Sequence, residues 1–206
     1  VKELNEEFNC KTAVLADLQG PKLRIGDVED GAIINEGDVL TFTTNKVRGT
    51  AKLVYMNYQQ FPQDVNAGER ILLDDGKLMC EVLETNKKDT VVTKVIQGGP
   101  LKSKKGVNLP NTKVSLPCLT KKDLEDVVVA MEEGVEWIGL SFVRDAADVQ
   151  ELRKVINDFG SFAKIVSKIE KPEAVVDIDN IIDATDAIMV ARGDLGVEIP
   201  YSSVPM

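Results

Sequence analysis

Amphipathic segments and short apolar segments alternate along the chain from about Leu116 onward. In the first amphipathic segment, apolar residues recur at helical spacing, at Leu124, Val127, Val128 and Met131. Thr120 can cap this helix together with Asp123, three residues further on, and Gly134 is placed to end it. The pattern therefore predicts a capped helix between Thr120 and Gly134.

The same alternation continues to the end of the sequence. Residues 136–142 (EWIGLSF) predict a strand, and Val149, Leu152 and Ile156 form the apolar stripe of a second helix. Two more strands are predicted at AKIVSKI (163–169) and AIMVA (187–191), with a helical connection at 172–184 that Pro172 opens. The order strand, helix, strand, helix, strand is typical of βα units that build a parallel sheet.

Residues 21–115 follow a different pattern. Short apolar runs are separated there by Gly, Asn and Asp turns, at GDVLTFT, ERILLDD, KLMCEVLE and DTVVTKVI. These runs predict a small antiparallel β domain. Because the earlier run TAVLAD (12–17) again indicates a core strand, the β domain is inserted after one strand of the α/β part. We predict an α/β domain at residues 1–20 and 116–206, and a β domain at residues 21–115.

The α/β residues suffice for about half of a closed (β/α)₈ barrel, which usually takes about 250 residues. The chain begins without Met and stops soon after a strand, so we expect it to be part of a longer enzyme. An open half-barrel leaves sheet edges and an apolar face uncovered, which favours self-association or packing against further segments.

Composition and charge narrow the function classes. A net charge of −9 and a pI near 4.7 oppose binding to phosphate backbones, so nucleic acids and anionic membranes are poor candidate partners. The apolar runs are far shorter than the ~20 residues that cross a bilayer, and the three cysteines show no C-x-x-C spacing. We expect a cytoplasmic protein. The absence of histidine excludes catalytic schemes based on that residue.

Charged residues stand where the predicted strands end. They are Asp17, then Lys168 with Glu170, then Arg192 with Asp194. In parallel α/β folds, functional groups gather at the C-terminal ends of strands. Side chains two residues apart on a strand share a face, so we expect Lys168 and Glu170 to belong to one site.

These residue types suit metal-assisted chemistry on an anionic substrate. Glu170 and Asp194 can offer carboxylate oxygens to a Mg²⁺ ion that takes its other ligands from water and substrate. Lys168 would then lie where negative charge develops, on a transferring phosphoryl group or on an enolate. Gly193 lets the backbone come close to an anion at the start of a helix. For each residue alone, a structural salt bridge or turn is the competing interpretation.

Several motifs together resemble the pyruvate kinase family: IVSKIE, IMVARGDLGVEIP, SKKGVNLP, ADLQGPKLRIG and LDDGKL. The resemblance covers nearly the whole chain. It implies an α/β fold, a partial TIM (β/α)₈ barrel that carries an inserted small antiparallel β-barrel domain after the third strand. The implied activity is the glycolytic transfer of phosphoryl from phosphoenolpyruvate to ADP, which gives pyruvate and ATP. The implied metal is Mg²⁺ or Mn²⁺.

The resemblance also implies roles for individual residues. Lys168 would stabilise the transferring phosphoryl group and the enolate, and Glu170 and Asp194 would hold the divalent metal. The backbone at Gly193 and Asp194 would receive the substrate carboxylate, and Arg24 would lie near the transferred phosphate.

Further roles concern the nucleotide and a monovalent cation. Asp75 and Lys105 match residues that close over the nucleotide, although Asp75 also suits a hairpin turn. Asp17 matches the monovalent-cation site, but Leu18 and Lys22 stand where potassium-dependent members typically have Thr and Glu. Since the Lys22 ammonium can supply the charge that K⁺ otherwise brings, we expect an enzyme that does not require K⁺.

Two other interpretations remain open at this stage. The first is another Mg²⁺-dependent phosphoenolpyruvate or pyruvate barrel enzyme, an aldolase or a mutase; the second is a non-catalytic nucleotide-binding fragment. The family implies a homo-oligomer, a homotetramer for the full-length protein. Because several strands of a complete barrel are missing, we expect this chain alone to be inactive.

Overall fold

The computed structural model describes residues 1–204, with the side chain of Tyr201 excepted. The chain divides into two compact units, Val1–Pro21 with Leu116–Leu195, and Lys22–Ser115 with the residues from Gly196 onward. The predicted domain ranges 1–20, 21–115 and 116–206 remain a prediction. They differ from these units chiefly after Leu195, because the following residues group with the second unit.

The elements in chain order are α1 (Lys2–Glu7), β1 (Leu15–Asp17), β2 (Ile33–Ile34), β3 (Val39–Thr43), β4 (Leu53–Tyr55), α2 (Phe61–Asp64), β5 (Arg70–Leu73), β6 (Leu78–Thr85), β7 (Thr90–Gln97), β8 (Gly99–Pro100), β9 (Val107–Asn108), α3 (Lys121–Glu132), β10 (Trp137–Leu140), α4 (Ala146–Phe159), β11 (Lys164–Ile169), α5 (Pro172–Val176), α6 (Ile178–Ala184), β12 (Ala187–Val190) and α7 (Arg192–Glu198). A short 3₁₀ turn follows at Tyr201–Ser203.

The first unit contains a four-stranded parallel sheet in the order β1-β10-β11-β12. The predicted alternation of strands and helices is confirmed, as is the α/β class. The strand predicted at residues 12–17 is shorter, since pairing with β10 begins at Leu15. On β12, at one edge of the sheet, Ile188, Met189 and Val190 keep their side chains exposed, as expected for an open part of a barrel.

Helix α3 begins as the sequence predicts. The Thr120 side chain accepts from the Asp123 N–H, and the Asp123 carboxylate accepts from the Thr120 N–H, which forms a capping box. The predicted helix is confirmed, although two of its four periodic apolar residues are partly exposed, Leu124 at 37% and Val128 at 38%. The face of α3 that is buried in this unit is centred instead on Val127 and its neighbours Ala130 and Met131.

The second predicted helix, α4, buries all three residues of its predicted stripe, Val149, Leu152 and Ile156. Asp145 caps its N-terminus, and Gly160 ends it in the left-handed conformation. The connection predicted at 172–184 is helical, but it consists of two short helices, α5 and α6, that meet at Asp177.

The second unit contains a six-stranded sheet in the order β4-β3-β7-β6-β5-β9. Its pairs are antiparallel except for β3 with β4, which are parallel, so the predicted antiparallel sheet is in fact mixed. Single-residue bridges from Arg24 to Gly106 and from Ile25 to Met56 link the β9 end of the sheet to the β4 end. These two bridges close the sheet into a small barrel, which is the architecture that the sequence analysis predicts for this domain.

Within residues 1–204, none of the helices is long and apolar enough to span a membrane. The three cysteines, Cys10, Cys80 and Cys118, are free thiols in the structure.

Candidate active site

The ammonium group of Lys168 lies among three oxygen-bearing side chains at the C-terminal end of the parallel sheet. Its Nζ is 3.1 Å from Glu170 Oε1, 3.2 Å from Asp17 Oδ1 and 3.0 Å from Ser141 Oγ. The structure therefore brings together the predicted pair Lys168 and Glu170, and it adds Ser141 from the end of the adjacent strand β10 and Asp17 from β1, on the far side of β10.

Strand register explains this meeting. Strands β1, β10 and β11 are adjacent and parallel, so their C-terminal ends lie side by side. Asp17 pairs with Gly139 across β1 and β10, and a Cβ atom at Gly139 would lie 3.1 Å from Asp17 Oδ1. The glycine thus leaves room for the Asp17 carboxylate, which the Lys168 side chain reaches from β11.

Glu170 is a buried carboxylate, with 2% of the residue exposed. Its Oε2 accepts a hydrogen bond of 2.9 Å from the backbone N–H of Phe142. Burial raises the pKa of Glu170 above its ordinary value, against the opposing effects of the Phe142 N–H and the Lys168 charge. The negative charge of Asp194 makes a smaller contribution to this rise in the pKa of Glu170.

The pKa of Lys168 is raised above its ordinary value. Burial by itself lowers it, but the charge and hydrogen bond of Glu170 and those of Asp17 outweigh the cost of burial. Lys168 is therefore a fixed positive charge at neutral pH, which suits electrostatic stabilisation of an anion and not proton transfer.

Asp194 and Gly193 lie in the first turn of α7, just after β12. The Ala191 N–H bonds Ile169 O at 3.2 Å, which fixes the start of this turn beside the end of β11. Both Asp194 and Gly193 are exposed, and a Cβ atom added at Gly193 would meet nothing within 4 Å. A ligand can therefore approach this backbone closely.

The donor set suits a hard divalent cation that takes part of its coordination from elsewhere. The charge of Asp194 is one of the causes that raise the pKa of Glu170, and a cation bound between the two carboxylates would offset that effect. Among residues 1–204 there is no group of three or more His, Cys, Asp or Glu side chains that could hold a metal ion. The site fits Mg²⁺ with few protein ligands and fits a fully protein-ligated metal poorly.

In the second unit, Lys105, one of the two predicted nucleotide-binding residues, forms an ion pair with Asp74. Lys105 Nζ is 2.9 Å from Asp74 Oδ1, and Lys77 Nζ is 3.5 Å from Asp74 Oδ2. The hydrogen bond from Lys105 lowers the pKa of Asp74, against the effect of its burial. Sequence reasoning missed Asp74, although its position directly after the buried end of β5 was an available signal.

Asp75 itself is an exposed residue of the turn between β5 and β6. Its φ is 57°, and Asp74 and Gly76 on either side also have positive φ, at 50° and 80°. Such backbone angles favour Asp and Gly, so the hairpin-turn interpretation accounts for Asp75 without a ligand.

Arg24, the other predicted residue of this unit, is exposed. Its guanidinium donates to Lys104 O at 2.8 Å, and its backbone N–H donates to Asn57 Oδ1 at 2.8 Å. The backbone bond fixes the position from which the Arg24 side chain starts, and the guanidinium bond holds Nη1 against the loop that carries Lys105.

The predicted monovalent-cation residues divide between the two units. Asp17 is in the first unit, with its side chain 57% exposed and in contact with Lys168. Leu18 is buried and offers no side-chain oxygen, while its carbonyl accepts from Ser141 Oγ at 2.7 Å. Lys22 is an exposed residue of the second unit.

Comparison with known proteins identifies the family. The family model described as pyruvate kinase, barrel domain, matches residues 1–206. Pyruvate kinases of Corynebacterium glutamicum and Mycobacterium tuberculosis are each 43% identical to this chain over its whole length, and that of Geobacillus stearothermophilus is 42% identical. The chain covers 43%, 44% and 36% of these relatives, so it spans less than half of their length.

A solved structure agrees with the sequence matches. The crystal structure of a pyruvate kinase from Cryptosporidium parvum superposes with a TM-score of 0.91 at 36% identity, over 98% of this chain and 43% of that one. The match includes the partial barrel together with the inserted β domain, and it does not favour an aldolase or mutase. By sequence and by fold, the chain belongs to the pyruvate kinase family.

Proposed function

We propose that the whole protein that contains this chain transfers a phosphoryl group from phosphoenolpyruvate to ADP and forms pyruvate and ATP. The observation that carries the proposal is the Lys168 ammonium, placed against Glu170 and Asp17 at the C-terminal end of the sheet of a pyruvate kinase family member. We further propose a cytoplasmic homotetramer, on the ground of family membership alone.

The role proposed for Lys168 follows from its charge. Because its carboxylate neighbours keep it protonated, it can stabilise negative charge on the transferring phosphoryl group and on the enolate oxygen that is left. Gly193 and Asp194 would receive the substrate carboxylate with their backbone N–H groups, at a place where nothing within 4 Å of a Cβ at Gly193 obstructs a ligand.

Glu170 and Asp194 would hold a Mg²⁺ or Mn²⁺ ion, which when bound supplies positive charge that neutralises substrate oxygens. Glu170 is oriented for this role by the Phe142 N–H on one oxygen and by Lys168 on the other. Its own burial shields the Glu170 carboxylate from water.

For the second unit we propose that Arg24 interacts with the transferred phosphate and that Lys105 and Asp75 bind the nucleotide. The ion pair of Lys105 with Asp74 suggests a more detailed arrangement, in which Asp74 holds the ammonium ready for a nucleotide phosphate. An Asp74→Asn variant should then raise the KM for ADP, while an Asp75→Asn variant should have the smaller effect.

We also propose that the enzyme does not require K⁺. Leu18 offers no side-chain oxygen to a monovalent cation, and the Asp17 carboxylate already has the Lys168 ammonium as a partner. Equal activity in potassium and in tetramethylammonium buffers is expected, and strong activation by K⁺ would refute this part of the proposal. A Lys22→Glu variant tests the charge argument, because it should make the activity respond to K⁺.

The main test is an assay of the whole protein with phosphoenolpyruvate, ADP and Mg²⁺, in which pyruvate is coupled to lactate dehydrogenase. The variant Lys168→Met should lose phosphoryl transfer while it keeps its fold. Lys164→Met is the matched control, because Lys164 is an exposed lysine at the opposite end of the same strand. Full activity of Lys168→Met, or a wild-type protein that turns over no phosphoenolpyruvate with ADP, would reject the proposed function.

A further inference from the structure

Two residues at the end of β10, Ser141 and Phe142, contact the two charged groups of the candidate site. Ser141 is buried, and its Oγ lies 3.0 Å from Lys168 Nζ and 2.7 Å from Leu18 O. An ammonium has only protons to offer, and a carbonyl can only accept them. The Ser141 hydroxyl must therefore donate to Leu18 O and accept from Lys168 Nζ. One of its lone pairs then points at the ammonium.

Phe142 contacts the other member of the pair, and it does so from an unusual conformation. Its φ is 57°, in the left-handed region, where a bulky residue is a genuine outlier and is strained. In this conformation the Phe142 N–H donates to Glu170 Oε2 at 2.9 Å. The bond occupies one carboxylate oxygen and leaves Oε1 for Lys168.

The surrounding structure holds the pair in this arrangement. A Cβ atom at Gly20 would lie 2.7 Å from the Phe142 ring and 3.2 Å from Ser141 Cβ, so these two side chains occupy the space that the glycine leaves. Gly20 itself is held by its N–H, which donates to Asp123 Oδ1 at 3.0 Å. On another side, Cys118 Sγ lies 3.1 Å from Ser141 O.

We propose that Ser141 and Phe142 are positioning residues that set the Lys168 ammonium and the Glu170 carboxylate at fixed places relative to each other. The catalytic consequence rests on the proposed function. Without the Ser141 hydroxyl, the ammonium is held only by Asp17 and Glu170, and it moves away from residue 141 while it keeps contact with these carboxylates. A displacement of about 1 Å at such a group lowers the rate on the order of 100-fold.

The first test is structural and does not depend on the reaction. Crystal structures of the whole protein and of its Ser141→Ala and Ser141→Cys variants should show Lys168 Nζ displaced by about 1 Å away from residue 141, while it keeps its contacts with Asp17 and Glu170. Cysteine fills the position of serine with a somewhat larger atom but is a weak acceptor, so it separates loss of the hydrogen bond from loss of packing. An ammonium that stays in place in both variants would overturn the inference, whatever the activity of the protein.

The second test is kinetic. Both serine variants should lower kcat on the order of 100-fold while the KM for phosphoenolpyruvate changes little, because the ammonium is displaced and not removed. If Ser141 serves only packing, Ser141→Cys should recover the wild-type kcat. A normal kcat in Ser141→Cys beside an active wild type would count against the inference alone, whereas an inactive wild type would count against the proposed function alone.

Two variants test the role proposed for Phe142. Phe142→Gly keeps the left-handed backbone and its N–H but loses the ring, whereas Phe142→Val keeps an apolar side chain that disfavours the left-handed region. Phe142→Gly should keep the hydrogen bond to Glu170 and most of kcat, and Phe142→Val should lose both. The reverse order of the two variants would contradict the role given to the backbone of Phe142.

Discussion

Replacing Lys168 by methionine tests the electrostatics of the site separately from its chemistry. Methionine has nearly the length of lysine, so the change removes a charge and leaves little empty space. Glu170 is 2% exposed and the Lys168 side chain 16%, and removing one partner of such a buried pair typically costs roughly 3–5 kcal/mol. The exposed Asp17 adds at most about 1 kcal/mol. Because Glu170 can take up a proton in the variant, we expect the low end, about 3 kcal/mol at pH 7.5.

Hydrogen exchange of the β11 amides in the whole protein measures this cost as a local free energy of opening. A loss of about 3 kcal/mol corresponds to exchange on the order of 100-fold faster. The pKa of Glu170 is raised in the folded protein, so its contribution to stability is largest below its ordinary pKa and is lost as the pH rises through the folded value. Without Lys168 the pKa of Glu170 rises further. The variant should therefore lose less free energy of opening at pH 5.5 than at pH 7.5.

Two controls make the result decisive. Lys164→Met, at the other end of β11, should leave exchange near Glu170 unchanged, and the double variant Lys168→Met/Glu170→Gln should recover much of the protection, because it leaves no buried charge unpaired. The reasoning would be refuted if the β11 amides of Lys168→Met exchanged at the wild-type rate, or if the free energy of opening fell by the same amount at both pH values.

Three further variants give independent outcomes. Gly193→Ala should raise the KM for phosphoenolpyruvate without loss of thermal stability, since its Cβ meets nothing within 4 Å and alanine favours a helix by up to about 1 kcal/mol. Gly20→Ala should lower the melting temperature by several degrees, because φ is +66° there and the Cβ would lie 2.7 Å from the ring of Phe142. Tyr58→Phe should remove one late step from the alkaline absorbance titration of tyrosine, because burial and the hydrogen bond to Asp64 raise the pKa of Tyr58 to about 12.

The sequence predicts best those features that depend on neighbouring residues. The capping box of Thr120 and Asp123 needs only one turn of helix, and it is present as predicted. The stripe of α4 is also confirmed, because 3.6-residue periodicity is a local property. The periodicity of α3 predicts the helix correctly but not which residues are buried, because Leu124 satisfies the period and is still 37% exposed, and its burial depends on what packs against the helix.

The barrel of the second unit shows where local patterns fail. Its apolar runs predict strands, but they do not predict that the consecutive strands β3 and β4 pair in parallel. The closure through Arg24 and Ile25 joins residues far apart in the sequence. Bridges of one residue have no run of alternating side chains that could signal them. The pairing partners therefore come from the tertiary fold and not from the strand patterns.

The candidate site divides in the same way. Lys168 and Glu170 could be inferred because strand alternation places side chains two apart on one face. Ser141 and Phe142 could not, since their roles depend on the register of three strands and on a left-handed backbone at Phe142 that no strand pattern predicts. Asp17 belongs to both groups. Its position at a strand end could be predicted from the sequence, but its contact with Lys168 could not, because that contact depends on β10 lying between their two strands. It follows that charged residues at strand ends predict where a site lies. The uncharged residues that orient those charged side chains can be identified only from the structure, in which the register of the neighbouring strands is known.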